Sequence, residues 1–332
     1  MKNRQNNWQK IKLGDAAGEV RNLYNPSPGE HLKYIGLEHI KQNTLRLSSI
    51  GDSADTQSAK KFFSTNDVLF GSLRAYFRKV VKPKFNGVCS TDITVLRSKN
   101  GNDQNFLYYF IANPHFIDFA AASAEGTRMP RVSWKFLSKT QWNFPPSADQ
   151  KRISDILSAF DDKIELNNKI SKNLEQTAQA IFKEWFGKSE KLKAKSEKLF
   201  KLGKIICGKT PSKLNLKYFG GEIPFIKIPD MHNQMFILKT EDSLTEVGAD
   251  SQKNKFIPRN SICVSCIATV GLVSITTKDS QTNQQINTII PKSESYLEFL
   301  YLALKTIKND LMLIGSGGST TLNINTSIFF QH

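Results

Sequence analysis

Sliding the second half of this 332-residue chain back by about 190 residues lays it on the first half, and that internal repeat limits the possible folds more than any other feature. "WQKIKLGD" (8–15) meets "KLFKLGKI" (198–205) through Lys12-Leu13-Gly14 and Lys201-Leu202-Gly203. "LKYIGLEHI" (32–40) meets "IPFIKIPDM" (223–231), and "FFSTNDVLFGSLRA" (62–75) meets "KFIPRNSICVSCIA" (255–268). "CSTDITVLR" (89–97) meets "TNQQINTII" (282–290), and "NFLYYFI" (105–111) meets "EFLYLAL" (298–304). Last, "EGTRMPRVSWKFL" (125–137) meets "GGSTTLNINTSIF" (317–329). Apolar positions coincide while polar ones differ, so two domains share a core and present different surfaces. Within a copy, "DVLFGSLR" and "DITVLR" read as strands. "NFLYYFIANPHFIDFAAAS" reads as a helix broken near Asn113-Pro114. The expected class is α/β in the mixed, α+β sense.

Between the copies the period changes from two to three-and-four. Pro145 and Pro146 stop the preceding segment, Ser147 with Gln150 makes a capping-box pattern, and Gly187 is a natural C-terminal cap. Apolar residues recur at Ile153, Leu157, Phe160, Ile164, Ile170, Leu174, Ile181 and Trp185, with Asn167 and Thr177 filling the same seam. This narrow stripe predicts a helix of about 60 Å that seeks a helical partner, with Asn167 fixing register. The division expected is 1–146 for the first domain, 147–187 for the helix, 188–198 for a charged linker and 199–332 for the second domain.

Charge indicates the partner. The net charge is +16, more than solubility requires, which points to a polyanion. It is spread along the chain: 21 Lys+Arg against 12 Asp+Glu over residues 1–150, 11 against 8 over 151–198, and 14 against 10 over 199–332. No stretch has the length of a signal peptide or a membrane span, and Cys89, Cys207, Cys263 and Cys266 suit a reducing compartment; the expected location is the cytoplasm, away from membrane.

The order repeat, long helix, repeat resembles the specificity (S) subunit of type I restriction–modification systems. The residues that carry the resemblance are "FPPSADQKRISDILSAFDDKIELNNKISKNLEQTAQAIFKEWF", the openings "WQKIKLGD" and "FKLGKIICGKTPS", and "DVLFGSLRAYFRKV" with "EGTRMPRVSWKFL". The likeness runs over nearly the whole chain. It implies two target recognition domains, each reading one half of a split sequence in double-stranded DNA. It implies a spacer helix that docks methyltransferase subunits and, through them, restriction subunits. It also implies no chemistry in this chain: S-adenosylmethionine, ATP and Mg belong to the partner subunits. In the family a second long helix follows the second domain; the repeat offset places it past His332, so the sequence reads as truncated. The seam would then pair with a second copy of the chain or with a separate helix. The alternative reading is a truncated or switched-off, non-specific DNA-binding scaffold.

Candidate DNA contacts are the residue types that grip phosphates and base edges. In the first copy they are Arg74, Tyr76, Arg78, Lys79, Lys82 and Lys84 on one run, and Thr127, Arg128 and Arg131 beside Gly126. In the second they are Lys209, Thr210, Ser212 and Lys213, and Ser319, Thr320, Thr321 and Asn323. Three motifs are set aside. "GKIICGKT" (203–210) has the letters of a phosphate loop, but no buried strand precedes it and Pro211 blocks the helix that should follow. "CVSC" (263–266) lies in a strand-like run, where residues three apart face opposite ways. "NFPP" (143–146) has the letters of an adenine-methyltransferase motif in the wrong order, and a Gly-rich cofactor turn is absent, which disfavours a methyltransferase fused to its own reader.

Overall fold

The computed structural model describes residues 7–25, 27, 29–56, 58–186 and 199–306. The chain divides into two compact units, Met1–Asn168 and Lys169–His332, with the dividing line inside one helix.

The first unit begins with β1 (Gln9–Lys12), α1 (Leu13–Ala16), β2 (Ala17–Glu19), β3 (Leu23–Tyr24), β4 (Lys33–Ile35), β5 (Ile40–Lys41), β6 (Arg46–Leu47) and β7 (Gly51–Asp52). It continues through β8 (Lys60–Phe63), β9 (Val68–Gly71), β10 (Val80–Val81), β11 (Gly87–Ser90) and β12 (Ile93–Ser98). Then come α2 (Gln104–Ala112), α3 (Pro114–Ala122), α4 (Trp134–Leu137), β13 (Gln141–Phe144) and the start of α5 (Ser147–Phe186). Strands in the order β10-β9-β12-β2 form one sheet, and β3-β8-β11-β4-β7 form another. Alternation along β9 and β12 makes the first sheet two-faced. Val68, Phe70 and Leu96 pack toward α2 and α3, whereas Leu69, Ile93 and Val95 pack with Ile35, Phe63 and Cys89 of the second sheet. The break at Asn113 is real: it ends α2 and caps α3, its side chain accepting from His115 N at 2.8 Å.

The second unit repeats this plan with α6 (Leu199–Leu202), β14 (Gly203–Cys207), β15 (Phe219–Ile226), β16 (Phe236–Ile237) and β17 (Asp242–Leu244). After α7 (Glu246–Asp250) come β18 (Ile262–Ser265), β19 (Val273–Thr276), β20 (Gln281–Thr282), β21 (Ile286–Pro291) and α8 (Leu297–Thr306). Four strands of its larger sheet, β14-β21-β18-β19, match β2-β12-β9-β10 in order, and β16 is added in parallel beside β19. The second sheets share three strands, β11-β4-β7 in the first unit and β20-β15-β17 in the second: the parallel pair Val88↔Tyr34 reappears as Gln281↔Phe225, and the antiparallel pair Lys33↔Asp52 as Pro224↔Ser243. The class is therefore α+β, built twice.

Ladder register corrects two of the sequence matches. With β12 laid on β21, Ser98↔Ala17 corresponds to Pro291↔Gly203. Ala17, not Gly14, is thus the counterpart of Gly203, and the shared Lys-Leu-Gly letters are three residues out of step. Likewise Leu96↔Val68 corresponds to Ile289↔Ile262, a slip of one from the sequence match. A one-residue slip exchanges the two faces of a strand, so the corrected register is the one that keeps the core apolar.

Each unit holds its own half of α5. Gln150 is buried; its Nε2 donates to Pro145 O and Asn102 Oδ1, and its Oε1 accepts from Asp103 N. Ser147 donates to Gly101 O, so the predicted capping box is replaced by bonds into the domain. Farther along, Tyr109 OH donates to Asp161 at 2.7 Å, and Lys84 pairs with Asp162 and Glu165. In the second unit Phe182 packs on Phe299, while Tyr301 OH and Lys305 both bond Glu175, at 2.7 and 3.0 Å. Gly187 lies outside the described residues.

Partial burial alone would raise the Glu175 pKa; the bonds from Tyr301 and Lys305 outweigh it and hold the carboxyl below its ordinary 4.5. A depressed carboxylate stabilises the folded state above the unfolded value and loses that contribution as pH falls through the folded one. The unfolding temperature of the second unit should therefore fall on acidification below about pH 4.5. Glu175→Gln should flatten that dependence and cost on the order of 1 kcal/mol at neutral pH, discounted for partial exposure. Equal acid sensitivity in both proteins would contradict the assignment.

Candidate nucleic-acid interface

The first unit brings two of the basic segments together. The loop leaving β9, residues 72–79, lies against the segment joining α3 to α4. Arg74 N donates to Pro130 O at 2.8 Å, Val132 N to Ser72 O at 3.0 Å, and Leu73 bridges Arg131. Glu125 and Arg131 exchange both backbone bonds, closing a tight loop whose tip is Gly126–Pro130. Gly126 has φ +98, which explains the glycine. Arg74 and Arg78 also sit at positive φ, both at 52°, an uncommon state for such residues. The result is a surface carrying Arg74, Tyr76, Arg78, Thr127, Arg128 and Arg131. Tyr76 is 52% exposed, and Thr127 and Arg128 are exposed at the tip. Acids orient two of the arginines, Arg131 Nε meeting Asp92 at 2.8 Å and Arg78 meeting Asp118 at 2.8 Å, while Arg74 donates to the backbone carbonyl of Arg128 at 3.3 Å.

Three lysines of the predicted set lie elsewhere. Lys79 Nζ donates to Leu37 O at 2.6 Å. Lys82 bonds Asn105 and lies over the Tyr108 ring at 5.7 Å; burial, then the Lys84 charge, pushes its pKa below the usual lysine value. Lys84 is held by the acids of α5, chiefly the Glu165 bond, which raises its pKa. Lys82 is thus tied to α2 within the domain, and Lys84 anchors the domain to α5. Their partners lie more than twenty and about eighty residues away in sequence, so the run "RKVVKPK" gave no sign of them.

In the second unit, Lys209, Ser212 and Lys213 are exposed, and Thr210 Oγ1 donates to Gln284 Oε1 at 2.6 Å. Gln284 belongs to the turn joining β20 to β21, which sequence reasoning passed over; its clue was the polar run Asn283-Gln284-Gln285 at a strand end. Ser319, Thr320, Thr321 and Asn323 lie outside the described residues. The phosphate-loop letters fall on strand β14, and the next helical turn starts only at Leu216. Gly208 is there for contact: a Cβ would sit 2.1 Å from Asn283 O and 2.4 Å from Thr282 O. Gly208→Ala should cost roughly 1–3 kcal/mol, as overpacking against backbone does. Chemical denaturation reads this directly, and an unchanged midpoint would show that the loop shifts freely. Cys263 packs between the sheets and Cys266 on the α8 side, opposite faces as expected; burial raises their thiols to about 12 and about 11. Among the described residues, no three His, Cys, Asp or Glu are grouped to hold a metal ion.

The seam of α5 departs from expectation at one end. Ile153 packs on the first unit's core. The others are exposed: Leu157, Ile164, Asn167, Ile170 and Ile181, with Phe160 at 63%, Leu174 at 65% and Trp185 at 63%. Ile156 and Leu166 widen the stripe. Among the described residues nothing covers it. No helix there is long and apolar enough to cross a membrane.

Comparison with known proteins agrees with this architecture. The profile of the family described as type I restriction modification DNA specificity domain matches twice, over residues 5–176 and 194–331. The chain is 34% identical to the type I restriction enzyme HindI specificity subunit of Haemophilus influenzae (strain Rd), over 97% of this chain and 88% of that protein. It is 28% identical to the EcoDI specificity subunit of Escherichia coli, over 53% of this chain and 41% of that one. The fold is similar to the crystal structure of the type I system S subunit from M. genitalium, with a TM-score of 0.58 and 15% identity, over 100% of this chain and 85% of that chain. With two profile matches and two matching sets of sheets, the chain belongs to the type I restriction–modification DNA specificity family and carries the family's domain twice.

Proposed function

We propose that this chain is the non-catalytic, sequence-reading subunit of a type I restriction–modification complex, and that its two units read the two halves of one split duplex target. The observation that carries this reading is the repeated scaffold: the strands that both units share keep the same order and register, while the side chains on their loops differ. A constant frame with changed loops suits two readers of unlike half-sites. The arginine surface of the first unit supplies phosphate and guanine contacts, and the polar loops of the second supply the rest. The exposed stripe of α5 takes a helical partner, from a second copy or a separate chain, and forms part of the surface that docks methyltransferase and restriction subunits. S-adenosylmethionine, ATP and Mg act in those subunits, in the cytoplasm.

Binding should fall steeply with salt, because each phosphate neutralised releases counterions at a slope of about −0.9 in log–log form. Gel-shift competition with the methyltransferase subunit present tests the reading. A split-site duplex should resist competitor that strips random duplex. Equal competition by every duplex would leave only the non-specific scaffold.

A further inference from the structure

The loop leaving β9 has a counterpart in the second unit that no motif announced. By ladder register, Gly71 corresponds to Ser265, and Val80 to Val273. Between them lie "SLRAYFRK" in one unit and "CIATVGL" in the other. The sequences have almost nothing in common, yet the backbones do the same things. Gly71 N donates to Lys79 O at 2.9 Å, and Ser265 N to Leu272 O at 3.0 Å. Ser72 N donates to Asp92 O at 2.9 Å, and Cys266 N to Gln285 O at 2.8 Å. Positive φ falls at the same two places: Arg74 (52°) and Ala268 (64°), then Arg78 (52°) and Gly271 (82°). A left-handed alanine or arginine is held only where the surroundings impose it. The frame imposes it twice, one residue apart in loop length, and leaves the side chains free to differ.

We propose that these two loops are one and the same base-reading element, set for guanine in the first unit and for A·T pairs in the second. This rests on the reading of the chain as a DNA specificity subunit. Arg74 presents the guanidinium fork that matches guanine O6 and N7. The second loop ends on exposed Ala268 and Thr269, small side chains suited to the thymine methyl. Next to its base is the exposed Gln284 of the β20–β21 turn, whose amide matches adenine N6 and N7. The second unit is thus a reader with little charge of its own at the loop tip, and its phosphate grip comes from Lys209 and Lys213.

The test uses the full chain bound to its methyltransferase subunit, selecting duplexes from a randomised library, with thermal unfolding measured alongside. The unaltered complex should select a split motif with guanine fixed in one half and A·T fixed in the other. Arg74→Asn keeps a residue that tolerates positive φ and should lose guanine preference at one position by about tenfold or more, leaving the other half intact. Arg74→Lys keeps the charge and should retain the salt slope while losing the same preference. Gln284→Leu should relax one A·T position in the other half only. The unaffected half is the internal control for folding. If the unaltered complex selects no motif, the specificity reading itself fails. If it selects one and these folded variants leave both halves unchanged, or damage both together, the loops are scaffold and the inference is wrong.

Discussion

Glutamate at both Phe160 and Leu174 is expected to abolish recovery of the methyltransferase-bound complex while leaving thermal unfolding of the chain unchanged. Both side chains are more than three-fifths exposed on α5, so replacing them removes nothing from either unit's core. In a seam closed by a partner helix each side chain would lose contact with water, a gain of about 2 kcal/mol apiece. Two carboxylates buried there would reverse that gain and add desolvation cost. The combined loss exceeds about 4 kcal/mol, or roughly a thousandfold in affinity. Sedimentation of the chain with and without the methyltransferase subunit reads the outcome. Unimpaired assembly of the double variant would show that the stripe is not a docking seam.

Gln150→Leu is expected to give the largest loss of stability from a single side chain. Gln150 is 2% exposed and binds three backbone or side-chain partners where α5 begins. Leucine fits the volume and strands Asp103 N and Pro145 O without partners, at about 1–3 kcal/mol each. Asp103 is itself a hub: its carboxylate caps α2 at Phe106 N and accepts from Ser154. Loss of about 3 kcal/mol lowers the midpoint of a unit this size by roughly 6–12 °C. Calorimetry should show that drop in the first unit's transition, with the second unit's transition in place. A shift confined to a degree or two would mean that water satisfies the orphaned groups.

The repeat was legible because apolar periodicity is local, and β4, β11, β12 and their counterparts fall where the sequence matches put them. What failed was register. Lys-Leu-Gly letters near Gly14 and Gly203 attracted a match that the ladders place three residues away. One residue of slip between β9 and β18 hid the kinship of the two loops, since position 74 then faced Ile267 rather than Ala268. The basic run of the first copy was read as one footprint, but acids from α5 and from α3 divide it: Arg78 stays on the surface with Asp118, whereas Lys84 turns to Asp162 and Glu165. Sequence marks a charge; only the fold says which opposite charge stands beside it. The period of three and four marks an apolar stripe whose side chains are exposed beyond Ile153, yet Phe182, which holds the second unit to the helix, lies one residue off that stripe and carries no mark of its own in the sequence.

The central claim is that one frame, built twice, reads two halves of one target. Sequencing the methylated bases of a cell that expresses this chain with its methyltransferase subunit tests it most directly. The account predicts a single motif of two fixed blocks separated by a gap of constant length. Methylation at an undivided motif, or at none, would contradict it.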